Sequence, residues 1–123
     1  MIEPIDVPAV MLKLDTLAAG LDTLSKELGD AERLRAVAED AYEDFIDSYV
    51  AGLYEASENK RLPGEDVRRS LAHKAMPPEL LGQYRTLTRR AERLRRRISD
   101  VKTQVDAHRS ILSALKTELE ASR

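Results

Sequence analysis

From Leu80 onward the apolar positions recur at steps of four and three without a slip. The series is Leu80, Tyr84, Leu87, Ala91, Leu94, Ile98, Val101, Val105, His108, Leu112, Leu115 and Leu119, with one histidine among the apolar residues. This is a heptad repeat, and it predicts a coiled-coil helix. The a positions fall on Tyr84, Ala91, Ile98, Val105, Leu112 and Leu119, and the d positions on Leu80, Leu87, Leu94, Val101, His108 and Leu115. Pro77 and Pro78 mark the start, because proline is accepted in a first turn and not inside a helix. The helix is expected over about 78–121, roughly 65 Å long at 1.5 Å per residue.

The first half carries a similar seam with one fault. Leu14, Leu17, Leu21, Leu24, Leu28 and Ala31 keep the three-four spacing, Arg35 breaks it beside Leu34, and Ala38, Tyr42, Phe45, Tyr49 and Leu53 resume it. Asp6 is placed to cap the start, with Pro8 in the first turn. Gly20 and Gly29 weaken the helix by up to about 1 kcal/mol each relative to alanine, and a bend at Gly29-Asp30 is conceivable. One long helix over about 8–57 is the favoured reading. Between the two seams, SENKRLPGEDV supplies a turn around Pro63-Gly64. A short helix over about 65–75 follows, with Val67, Leu71 and Ala75 expected on one face.

These elements predict an all-α fold with a single domain over 1–123. Two long helices form an antiparallel coiled-coil hairpin, with a basic connector at about 58–77 that holds the short helix. A lone two-helix hairpin buries little, so association into a homo-oligomer is expected.

Composition refines this picture. The chain is 42% hydrophobic, 4% aromatic and 34% charged, a balance that favours long amphipathic helices over a thick globular core. It has no cysteine, which excludes disulfides and thiolate metal sites. The opening MIEPIDVPAV has neither a basic start nor a long apolar run, and no stretch is long and apolar enough to span a membrane. A cytoplasmic location is expected.

The net charge of -2 hides an asymmetry. Residues 1–58 hold 4 basic and 14 acidic side chains, a balance of -10, and residues 59–123 hold 16 basic and 8 acidic, a balance of +8. Such a split points to self-association, to pairing within the chain, or to an anionic partner for the basic half. The basic half is densest in RTLTRRAERLRRRISD, where seven arginines and one glutamate lie between Arg85 and Arg97. Arg90 and Arg97 fall at g, and Arg95, Lys102, Arg109 and Lys116 at e, so they flank the seam and call for an acidic neighbour. Glu32, Glu39, Asp40, Glu43, Asp44 and Asp47 offer one.

Arg85, Arg89, Arg93 and Arg96 are different. They lie at b, f, c and f, on the face away from the seam, with only Glu92 and Asp100 nearby to neutralise them. Together with Lys60, Arg61, Arg68, Arg69 and Lys74 of the connector, they form a candidate phosphate track. The competing reading is a solvated helix face with weak local ion pairs.

Other groups carry less. Tyr42, Phe45 and Tyr49 could stack bases, but they lie on the apolar seam and are expected in the core. His108, at a d position, reads as a polar residue that sets register, and His73 has no cluster of metal-ligand types beside it. There is no phosphate-binding glycine loop, no nucleophile elbow and no cysteine nucleophile. No enzymatic activity and no cofactor are expected.

The strings AEDAYEDFIDSYVAGLYEA and RRISDVKTQVDAHRSILSALKTELEAS resemble the UvsY-like recombination mediators of tailed phages. The likeness covers roughly residues 34–121. It rests on an Ala/Tyr-rich helix end, a short connector, and an Arg-rich helix whose ending is matched by Arg109, Ser110, Ala114, Leu115 and Glu118. The chain departs from that pattern in PGEDVRRSLAHKAMPP, which is longer and richer in proline. The resemblance implies a phage-encoded accessory protein in the host cytoplasm. It would bind single-stranded DNA, form oligomers, and help load a recombinase onto strands covered by single-strand-binding protein. The rival expectation is a non-enzymatic coiled-coil structural or interaction protein: a phage scaffold, a virion component or an inhibitor of a host protein.

Overall fold

A computed structural model of the chain describes residues 6–57 and 63–122. Among them the structure is helical apart from the helix ends and connections, with three helices and no strand. α1 runs Val7–Ser57, α2 runs Glu65–Ala75 and α3 runs Pro78–Ala121. The two long helices pack against each other.

The helix ends follow from local chemistry. The Asp6 carboxylate accepts the Ala9 N–H at 3.3 Å, and the Asp6 carbonyl accepts the Val10 N–H at 3.0 Å. That is an N-cap, and Pro8 sits where no helical donor is needed. α1 continues through Gly29 as one helix. α2 has Gly64 at its N-cap and no side-chain cap. Glu65 and Asp66 in its first turn and Lys74 in its last complement the helix dipole instead. Met76 then turns extended (φ -65°, ψ 135°), as a residue before proline must. The Pro77 carbonyl accepts the N–H groups of Leu80 and Leu81, so Pro77-Pro78 opens α3 at once.

The chain divides into two compact units, residues 1–29 with 92–123 and residues 30–91. In the first unit the heptad seam is the covered face. Leu24, Ile98 and Val105 are buried, and Leu14, Leu17, Leu21, Leu28, Leu94, Val101, His108, Leu112 and Leu115 are half-buried. Leu119, the last seam position, is 63% exposed. His108 turns its Nδ1 to the Gln104 carbonyl at 2.7 Å, which satisfies one ring nitrogen within its own helix.

The second unit holds the richer core. Tyr42, Ile46, Ala72 and Met76 are buried together, with Phe45, Tyr49, Val50, Leu80, Leu81 and Tyr84 packed around them. Ala31, Ala38 and Ala91 are fully or nearly fully buried, and such small seam residues let helices approach closely. The buried face of α2 differs from the expected one. Ala72 is fully buried and Leu71 half-buried, whereas Val67 is 52% exposed and Ala75 is exposed. Ala72 and Met76 share the core with Ile46, so the register of α2 is set by what it packs on and not by its largest apolar side chain.

Arg35, the fault in the first seam, is accommodated by carboxylates. Its guanidinium meets Glu32 at 3.1 Å and Glu39 at 3.0 Å, one helical turn to either side. The hydrogen bond to Glu32 raises the already high pKa of Arg35, with burial opposing. A half-buried cation on the seam is tolerable because two anions accompany it.

Candidate nucleic-acid interface

α3 carries the basic stripe because its heptads leave b, c and f free of packing. Arg85, Arg89, Arg93 and Arg96 are all exposed. At 100° per residue they fall within an arc of about 80°, over roughly 16 Å of helix, centred opposite the seam. Arg90 and Arg97 are also exposed and widen that arc to about 140°. Among the described residues, no ion pair engages Arg85, Arg89, Arg93 or Arg96, although Glu92 and Asp100 lie on the same face. Four unneutralised guanidiniums on successive turns can donate to a row of anionic oxygens.

The connector cations behave differently. Lys60 and Arg61 lie outside the described residues. Lys74 is exposed. Arg68 and Arg69 are drawn to α1. Arg68 is half-buried, donates from Nη1 to the Tyr54 hydroxyl at 2.8 Å, and lies 5.8 Å from the Tyr54 ring centroid. Its Nε is buried without a partner. Arg69 meets Glu43 at 3.4 Å, and this carboxylate raises its pKa further. Both arginines line a hollow of about 250 Å³ with Asp47, Glu65, Ile46, Val50 and Tyr54. Two carboxylates balance two guanidiniums there, so this hollow does not extend the uncompensated charge of α3.

The aromatics are consumed by packing. The Tyr42 ring stacks on Tyr84 with centroids 4.8 Å apart and planes at 17°, and its hydroxyl is hydrogen-bonded to His73 Nε2. His73 also meets the Tyr42 ring edge-on at 5.4 Å. Phe45 and Tyr49 are half-buried against the same core. These rings pin α2 and α3 to α1 and present no open stack of faces to bases. Tyr54 is the exposed exception, at 55%, and Arg68 already covers it.

Sequence reasoning missed two arrangements. The Arg35–Glu32–Glu39 group had a signal, the break in the heptad flanked by acids at three and four residues. The Tyr42–His73 pair had none, because 31 residues separate its members. Among the described residues no group of three or more histidines and carboxylates is placed to hold a metal ion, and no helix is long and apolar enough to cross a membrane.

No protein-family model matches the chain, and neither a curated protein nor a solved structure is significantly similar to it.

Proposed function

We propose that this chain is a non-enzymatic accessory protein that binds single-stranded DNA along the outer face of α3, in the manner of a recombination mediator. The observation that carries this reading is the exposure of Arg85, Arg89, Arg93 and Arg96 on one face, with no ion pair to neutralise them among the described residues. A row of guanidiniums attracts phosphates whatever the base sequence. The partners would be single-stranded DNA, further copies of the chain, and a recombinase or single-strand-binding protein. The setting would be the cytoplasm, that of the host if the chain is phage-encoded. No cofactor takes part.

The supporting scaffold is an antiparallel coiled-coil hairpin. Its support, within the second unit, is that Val37 shares a hollow with Arg90 while Tyr42 stacks on Tyr84, a pattern that fits helices running in opposite directions. The second reading is a helical interaction protein. Its support is Leu34 and Val37, 50% and 69% exposed on adjacent turns of α1.

Fluorescence anisotropy with a labelled single strand and a matched duplex, titrated across salt, tests the proposal. Preferential binding to the single strand is expected, with a log-log salt slope of about -3 if four phosphates are engaged. Absence of salt-sensitive binding to either probe would overturn it and favour the second reading.

A further inference from the structure

The basic stripe of α3 has a counterpart of opposite sign on α1. Asp40, Asp44 and Asp47 are exposed and step by four and three. They centre opposite the buried Ala38, Tyr42 and Ile46. Among the described ion pairs none engages them, although Glu32, Glu39 and Glu43 of the same helix are all engaged. Arg89, Arg93 and Arg96 step by the same four and three, and they too face away from their buried seam. The rises between successive members are about 6 Å and then about 4.5 Å in both series. Two such helices lying side by side in parallel can set three aspartates against three arginines in register.

Each stripe faces away from the seam of its own helix, and although Asp47 borders Arg68 and Arg69 of the same chain, Asp40, Asp44 and the arginines are open to a partner from outside it. Either stripe set against itself in a second copy would oppose like charges, which excludes a dimer built on one stripe alone. Docking one stripe on the other pairs opposite charges, either closing two copies through both contacts or adding copies in succession. Val37, 69% exposed and about 55° around α1 from the centre of the aspartates, adds apolar surface beside that face.

We propose that the Asp40–Asp44–Asp47 face of α1 docks on the Arg89–Arg93–Arg96 face of α3 in a second copy of this chain. This deepens the self-association in the proposed function and rests on no part of its nucleic-acid reading. Single exposed ion pairs contribute little, so the contact depends on several acting together and weakens as salt screens them.

Sedimentation velocity without nucleic acid tests the inference on four samples: the wild type, Asp40→Lys/Asp44→Lys, Arg89→Glu/Arg93→Glu, and an equimolar mixture of the two variants. Asp47 is left unchanged because it borders Arg68 and Arg69. The wild type is expected to exceed the monomer mass of 13.8 kDa, with a mass that rises with protein concentration. It should return toward the monomer when salt is raised tenfold. Each variant alone should remain a monomer, because its two faces then carry net charges of the same sign. The mixture should recover association, since each variant then supplies the face the other lost. The neutral pair Asp40→Asn/Asp44→Asn, checked with the others for helicity by circular dichroism, keeps the test valid if a reversal unfolds the chain, and it too should be monomeric.

A wild type that stays monomeric at low salt overturns the inference. So do variants that associate as the wild type does, and so does a folded mixture that fails to associate. Failure of DNA binding would leave all these outcomes unchanged, so the two proposals fail separately.

Discussion

Ile46 shows how much a single position does in this chain. It is 2% exposed and is the largest fully buried side chain among the described residues, set where α1, α2 and the start of α3 meet. Truncation to alanine would leave a cavity that three helices border. Ile46→Ala is expected to cost about 2–5 kcal/mol, read as a lower midpoint in chemical denaturation. Gly29 is the opposite case. It lies inside α1, and a Cβ added there would meet nothing within 4 Å. Gly29→Ala should therefore stabilise the chain by about 0.5–1 kcal/mol, through the lost backbone freedom of the unfolded state. A fall in the thermal midpoint of Gly29→Ala would show that the position needs a conformation glycine alone supplies.

At the scale of elements, α2 and α3 use arginine for different ends. Arg68 and Arg69 of α2 are tied to Tyr54 and Glu43 of α1, whereas the outer arginines of α3 are tied to nothing described. The two sets should separate on substitution. Arg85, Arg89, Arg93 and Arg96 changed to glutamine should abolish single-strand binding in the anisotropy assay and leave helicity intact. Arg68→Gln with Arg69→Gln should leave DNA affinity nearly unchanged and loosen α2. Loss of the exposed Arg69–Glu43 pair is expected to cost no more than about 1 kcal/mol. Equal loss of binding in both variants would mean that the connector belongs to the interface after all.

For the whole molecule, the two proposals place the same arginines under competition. Arg89, Arg93 and Arg96 cannot hold phosphates and the aspartates of another copy at once. Adding a short single strand to the associated protein should therefore reduce the protein–protein mass measured by sedimentation. The Asp40→Lys/Asp44→Lys variant should bind the strand at least as tightly as the wild type. Strand binding that leaves the association untouched would assign the two events to separate surfaces.

The sequence by itself determined the elements. Period and punctuation are local, so Asp6, Pro63-Gly64 and Pro77-Pro78 could be read as boundaries, and α2 spans Glu65–Ala75 as its pattern implied. The heptad residues of α3 are buried or half-buried down to Leu115. The outer position of Arg85, Arg89, Arg93 and Arg96 was legible for the same reason, because it follows from helical periodicity alone. Tertiary structure decided what no local spacing encodes. It turned Ala72 inward and Val67 outward, joined Tyr42 to His73 across 31 residues, and drew Arg68 and Arg69 onto α1. Those outcomes depend on which surfaces meet once the helices pack. A charge on the sequence is free or engaged only when its neighbours in space are known.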